Sequence, residues 1–146
     1  MPRVLEEVTE TQITPQHVEQ RVADWQRRID ELYTQVAGWL PAGYSAQRDG
    51  TMHMYEEMMQ KFGVAARDLP ILEIACGSVP VARIEPRDLW IIGANGRLDM
   101  IVGQNQYVIV DSAENFASPS WIMTPFSNRR NRQPLTQETF CSLLQG

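Results

Sequence analysis

The sequence predicts an α+β fold. A long N-terminal heptad helix and a second, short helix pack on an antiparallel meander sheet of five to six strands, and a short C-terminal helix follows. Three observations carry this. Val18, Val22, Trp25, Ile29, Leu32, Val36 and Trp39 recur in alternating steps of four and three, the spacing of a heptad seam. From Leu69 onward the apolar period shortens to that of strands. Asn95-Gly96, a pair suited to a two-residue reversal because both positions take positive φ, lies between two such runs.

The elements follow in order. The first ten or so residues carry Glu6, Glu7 and Glu10 with only Val4, Leu5 and Val8 to bury, so residues 1–13 read as a loosely ordered acidic arm. A two-helix segment spans 14–63. Thr14 is placed to cap the first helix and Pro15 suits its first turn, while Pro41 and Gly43 close it after ~39 Å at ~1.5 Å per residue. The face opposite the seam, with Gln20, Asp24, Arg27, Arg28, Asp30, Glu31 and Gln35, reads as solvated, and Asp24 stands four residues before Arg28 in the favourable acid-first order. A turn over 41–50 leads to a helix over 51–62 with Met52, Tyr55, Met58, Met59 and Phe62 on one side, stopped by Gly63.

The sheet occupies 69–124, with strands expected at 71–76, 81–85, 89–94, 97–102, 107–111 and 121–123. A turn at Asn95-Gly96 sets Ala94 opposite Arg97. Leu89, Ile91 and Gly93 then share a core face with Leu98, Met100 and Val102. An Arg-rich loop covers 125–134. The last helix, in 135–146, has Thr136 as its cap and Leu135 with Phe140 as a hydrophobic staple.

Composition bounds the function. A chain of 146 residues is expected to form one domain, and a formal charge of −5 argues against broad binding of duplex nucleic acid. No apolar run is long enough to span a membrane and the N-terminus is acidic rather than signal-like, so a cytoplasmic protein is expected. Cys76, Cys141, His17 and His53 fit no zinc spacing, so neither metal nor cofactor is expected, and Cys76 reads as a small buried apolar side chain. Ser78 in Gly77-Ser78-Val79-Pro80 is not in a nucleophile elbow.

Two surfaces then point to binding rather than catalysis. A ~39 Å helix overhangs strands of ~17 to 20 Å, so the seam Val18, Val22, Trp25, Ile29, Leu32, Val36 and Trp39 calls for a partner, either a second copy in a homo-oligomer or a larger protein. Arg129, Arg130 and Arg132 form a basic loop suited to an anionic partner or ligand. The leading expectation is a non-catalytic interaction module. A binder of a small nucleotide-like anion is a further alternative.

The enzymatic alternative rests on the sheet carboxylates. The stretch Gly96-Arg97-Leu98-Asp99-Met100-Ile101, followed by Tyr107-Val108-Ile109-Val110-Asp111-Ser112-Ala113, resembles the central hairpin of the PD-(D/E)XK nuclease superfamily. The resemblance implies divalent metal held by Asp99 and Asp111 with a further acid such as Glu73. Ala113 stands where that family places its lysine. A two-residue turn at Gln104-Asn105 puts the two aspartates on opposite sheet faces, and a one-residue bulge there would bring them together.

Overall fold

The computed structural model describes residues 13–91 and 93–145, so the acidic arm, apart from Ile13, lies outside the described residues. Helix α1 (Pro15–Trp39) starts as its sequence dictates: Thr14 is extended, its Oγ1 accepts the His17 N–H at 3.1 Å, and Pro15 fills the first turn. It ends where Leu40 turns extended ahead of Pro41.

Seven strands follow as an antiparallel meander, each paired with the next: β1 (Tyr44–Met54), β2 (Arg67–Cys76), β3 (Val79–Ile91), β4 (Ala94–Val102), β5 (Asn105–Asp111), β6 (Trp121–Pro125) and β7 (Gln133–Pro134). Helix α2 (Glu57–Lys61) sits between β1 and β2, and α3 (Gln137–Gln145) ends the chain. The α+β class is as the sequence predicts, with seven strands rather than five to six.

The additional strands are β1 and β7. The turn expected over 41–50 and the first part of the helix expected over 51–62 are one strand, and α2 keeps only five residues of that helix. Pairing with β2 overrides the helical tendency of the methionines: Met54 is buried in strand alternation, while Asp49 and Gly50 take up a register irregularity, Gly50 with φ +82°. The two strands expected at 81–85 and 89–94 are a single β3 with a bulge near Pro86.

The β3–β4 reversal also moves. Ile91 pairs with Ala94, so the chain reverses before Asn95, and Asn95 and Gly96 belong to β4. Gly96 nevertheless keeps the positive φ its residue type allows, at +104°. Half of the expected core face survives this shift: Ile91 and Val102 are only half-buried and Gly93, beside the reversal, is exposed. Leu89, Leu98 and Met100 are buried with Leu72, Ile74, Ile84, Ile109 and Met123 against α1.

The sheet forks between β2 and β3. Their pairing ends at Leu72 with Ile84, and extending that register by two residues would set Pro70 opposite Pro86, neither of which has an N–H to donate. Side chains satisfy the groups this leaves. The Tyr33 hydroxyl lies 2.7 Å from Pro70 O and 3.2 Å from Ile84 O, and burial pushes its pKa up. The Glu56 carboxylate accepts the Leu89 N–H at 2.9 Å and the Trp90 N–H at 3.2 Å.

The heptad seam closes on this sheet. Val18, Val22, Trp25, Ile29, Leu32 and Val36 are each at most 1% exposed, and Trp39 packs its ring 6.1 Å from Phe140 of α3. This corrects the expectation that the seam Val18, Val22, Trp25, Ile29, Leu32, Val36 and Trp39 overhangs the sheet and meets a partner. The overhang presumed strands of five or six residues, whereas β3 has 13 residues and spans about 43 Å at ~3.3 Å per residue. At the C-terminus, Thr136 and Thr139 cap each other reciprocally, at 2.9 and 3.2 Å, and Leu135 and Phe140 are both buried in the core.

Candidate functional site

A polar network lies buried beneath the N-terminal half of α1. Arg28 is 0% exposed, which corrects its assignment to a solvated face; Asp24, at 8%, is buried with it. Arg28 donates Nε–H to Asp24 Oδ2 at 2.6 Å, Nη1–H to Asp111 Oδ2 at 2.6 Å, and Nη2–H to the carbonyl of Ala117. Asp24 also pairs with exposed Arg27.

Asp111, at the end of β5, is fully engaged. Its Oδ1 accepts the N–H groups of Ala113 at 3.0 Å and Ser120 at 2.8 Å, the turn-capping arrangement its position suggests, and Asn95 Nδ2 lies 3.4 Å from Oδ2. With four donors on two oxygens, this carboxylate has no lone pair left for a metal or a water to be activated. The network continues outward through Asn95 Oδ1, which accepts from Arg21 Nη2 at 3.0 Å. Arg21 lies over the Trp90 ring at 5.8 Å, and burial pushes its pKa down although Asp24 draws it up.

This network fixes the 112–120 loop, and the loop carries a strained residue. Phe116 has φ +66°, the one non-glycine residue with positive φ among the described residues, and its ring is exposed, edge-on to His17 at 6.0 Å. The strain is sustained from below, where Arg28 holds Ala117 and Asp111 holds both ends of the loop.

The sheet carboxylates do not converge. Val102 pairs with Asn105, so the β4–β5 turn is at Gly103-Gln104, two residues from the expected register, and a two-residue shift preserves parity. Asp99 pairs with Val108 on the outer face, whereas Asp111 faces α1. Asp99 is instead held by Arg97 at 2.9 Å, Gln106 at 3.2 Å and Arg87 at 3.5 Å. Glu73 lies on the outer face in β2, opposite Arg83, and cannot meet Asp111 through the sheet. The metal-holding set Asp99, Asp111 and Glu73 of the nuclease-like reading is therefore not assembled, and among the described residues no group of three or more His, Cys, Asp or Glu side chains is placed to hold a metal ion.

The chain matches no protein-family model, no curated protein and no solved structure.

Arg129, Arg130 and Arg132 are exposed on the loop between β6 and β7, with Arg129 over the ring of exposed Phe126 at 5.2 Å. Among the described residues none of the three pairs with a carboxylate. Arg27, Arg28, Arg48, Arg67, Arg83, Arg87 and Arg97 each do. Cys76 is exposed at the end of β2, not buried. Among the described residues, no helix is long and apolar enough to cross a membrane.

Sequence reasoning missed Arg28 and Phe116. A signal for the first existed: Arg21, Asp24 and Arg28 follow Val18 at helical steps of three, three and four and so border the apolar stripe. Phe116 gave none, because its backbone is imposed by the loop's anchors rather than by residue type.

Proposed function

We propose that the chain is a non-catalytic binding module that docks an acidic segment of a protein partner on its 125–134 loop. The observation that carries this is the set of three guanidinium groups, Arg129, Arg130 and Arg132, exposed without carboxylate partners among the described residues, where seven other arginines each pair with a carboxylate. Guanidinium forks bind carboxylates bidentately, and Phe126 adds an exposed apolar anchor beneath Arg129. The net charge of −5 disfavours a nucleic-acid backbone and leaves the loop as a local basic island. Docking through the helix seam is not part of this reading, since that seam is buried.

The test is fluorescence polarisation with a labelled Glu/Asp-rich peptide and, separately, a single-stranded oligonucleotide. Replacing Arg129, Arg130 and Arg132 together by Glu is expected to weaken peptide binding by about tenfold or more, roughly 1.4 kcal/mol or above. Melting temperature should be unchanged. Affinity should fall with added salt. Equal binding by the triple variant, or tighter binding of the oligonucleotide than of the peptide, overturns the proposal.

A further inference from the structure

The sheet face turned away from α1 holds a hollow of about 300 Å³ where β1, β2 and β3 meet. Strand alternation builds its walls. Ser45, Gln47 and Asp49 are every second residue of β1, and Ser45 and Gln47 stand opposite Ala75 and Glu73 of β2. An irregularity between Ile74 and Ala75 shifts β3 against β2, and the small side chain of Ala75 leaves the space open, with Ser78 of the β2–β3 turn at its side.

Glu73 is the informative group. It is half-buried, and the register sets Arg83 directly opposite, a cross-strand ion pair that sheets favour. Arg83 bonds Glu85 instead, at 2.7 Å, and borders the adjoining hollow. Among the described residues neither Glu73 nor Asp49 forms an ion pair, while Asp30, Glu85 and Asp99 on neighbouring elements all do. The cavity lining thus carries two carboxylates that form no ion pair, and no cation.

We infer that this cavity binds a compact organic cation, a primary ammonium or guanidinium group. Glu73 is its ion partner, Asp49 the second carboxylate, and the oxygens of Ser45, Gln47 and Ser78 are its remaining acceptors. An ammonium group has three donors and no acceptor, which complements a lining of acceptor oxygens. The chemistry is shared by a free amine and by a lysine side chain of another protein, so the test includes both.

The experiment is an amide NMR titration of the full chain with putrescine, with N-acetyl-lysine methylamide, with neutral 1-butanol and with Ca²⁺. Saturable shifts confined to residues 45–49 and 73–80 are expected for the two amines and not for 1-butanol. Glu73→Gln should weaken amine binding by about fivefold to tenfold, and Glu138→Gln, on α3, should leave it unchanged. Tighter binding of putrescine supports a free amine as the ligand, and tighter binding of the lysine derivative supports a protein side chain. Shifts scattered over the surface, equal shifts with 1-butanol, undiminished binding in Glu73→Gln, or Ca²⁺ moving the same amides at lower concentration each overturn the inference. The same spectra report whether each variant is folded.

Discussion

Arg28 and Asp111, 83 positions apart in the chain, meet at 2.6 Å with both side chains 0% exposed. Removing two charges from water costs several kcal/mol per ion, and the pair offsets this only because its remaining groups are satisfied, by Asp24, the carbonyl of Ala117 and the N–H groups of Ala113 and Ser120. The pair joins α1, β5 and the 112–120 loop in one geometry, which is the link from packing to the strained Phe116.

Breaking one side of this pair leaves a buried charge without its partner. Arg28→Met is expected to destabilise the protein by about 3 to 5 kcal/mol in urea denaturation, and Asp111→Asn by a comparable amount. The double variant should lose less than the sum, with a coupling of roughly 1 to 3 kcal/mol. Additive losses would show that the two residues act independently. Amide exchange at Ala113 and Ser120 should quicken in Arg28→Met more than exchange in β2, because the loop loses its anchor first.

Gly96 is where the backbone of β4 admits Trp25. A Cβ at this position would stand 2.3 Å from Trp25 Cζ3, and φ is +104°. Trp25 is 1% exposed and lies 6.2 Å from the ring of Trp121, so it has nowhere to withdraw. Gly96→Ala is expected to cost roughly 2 to 5 kcal/mol from overpacking and backbone strain together. Gly103→Ala has the strain at φ +59° but open space around its Cβ, and should cost less. Equal losses in thermal or urea denaturation would remove the steric part of the explanation.

Local spacing was legible in the sequence, and long-range strand pairing was not. The heptad of α1, its Thr14 cap and the burial of Leu89, Leu98 and Met100 were legible because each depends on local spacing or parity, and a turn that slides along a hairpin changes the register by an even number of residues. Strand β1 was not legible, because Met52 and Met54 continue the helical spacing of Met58 and Met59, and only pairing with β2 draws the first two into a strand. The expected role of the helix seam fails for the same reason, whereas Arg129, Arg130 and Arg132 are exposed as their polar loop suggests. Strand length, which no local rule supplied, determined that the seam from Val18 to Trp39 is covered by the protein's own sheet.

The fork between β2 and β3 depends on Tyr33. Its hydroxyl is the side-chain donor at the carbonyls of Pro70 and Ile84, where two prolines prevent a strand ladder. Tyr33→Phe preserves the ring and its packing, so its effect isolates the hydroxyl. A loss of about 1 to 3 kcal/mol is expected, the cost of leaving buried carbonyls unpaired. A loss near zero in urea denaturation would mean that water reaches those carbonyls and the fork is open.

Glu56 closes the other arm of that fork and gives it a pH dependence of unusual sign. Burial pushes its carboxyl pKa above the ordinary 4.5 and Asp88 adds to this, while the Leu89 and Trp90 N–H groups and Arg21 oppose it without cancelling it. The folded protein therefore holds this proton more tightly than the unfolded chain does. Its contribution to stability is fully present below about pH 4.5, the unfolded value, and is lost as pH rises through the raised folded value. Other carboxylates titrate over the same range, so the wild-type curve alone will not isolate Glu56. Glu56→Gln has no proton to release, and it sacrifices one acceptor equally at every pH. Stability of the wild type minus that of Glu56→Gln, from urea denaturation between pH 4 and pH 8, is expected to fall as pH rises and then level off. The range is about four units, wide enough to contain both limbs of a shifted carboxylate titration. A difference that rises with pH would mean that the two backbone N–H groups outweigh burial, making Glu56 a charge-stabilised latch instead of one loosened by its own ionisation.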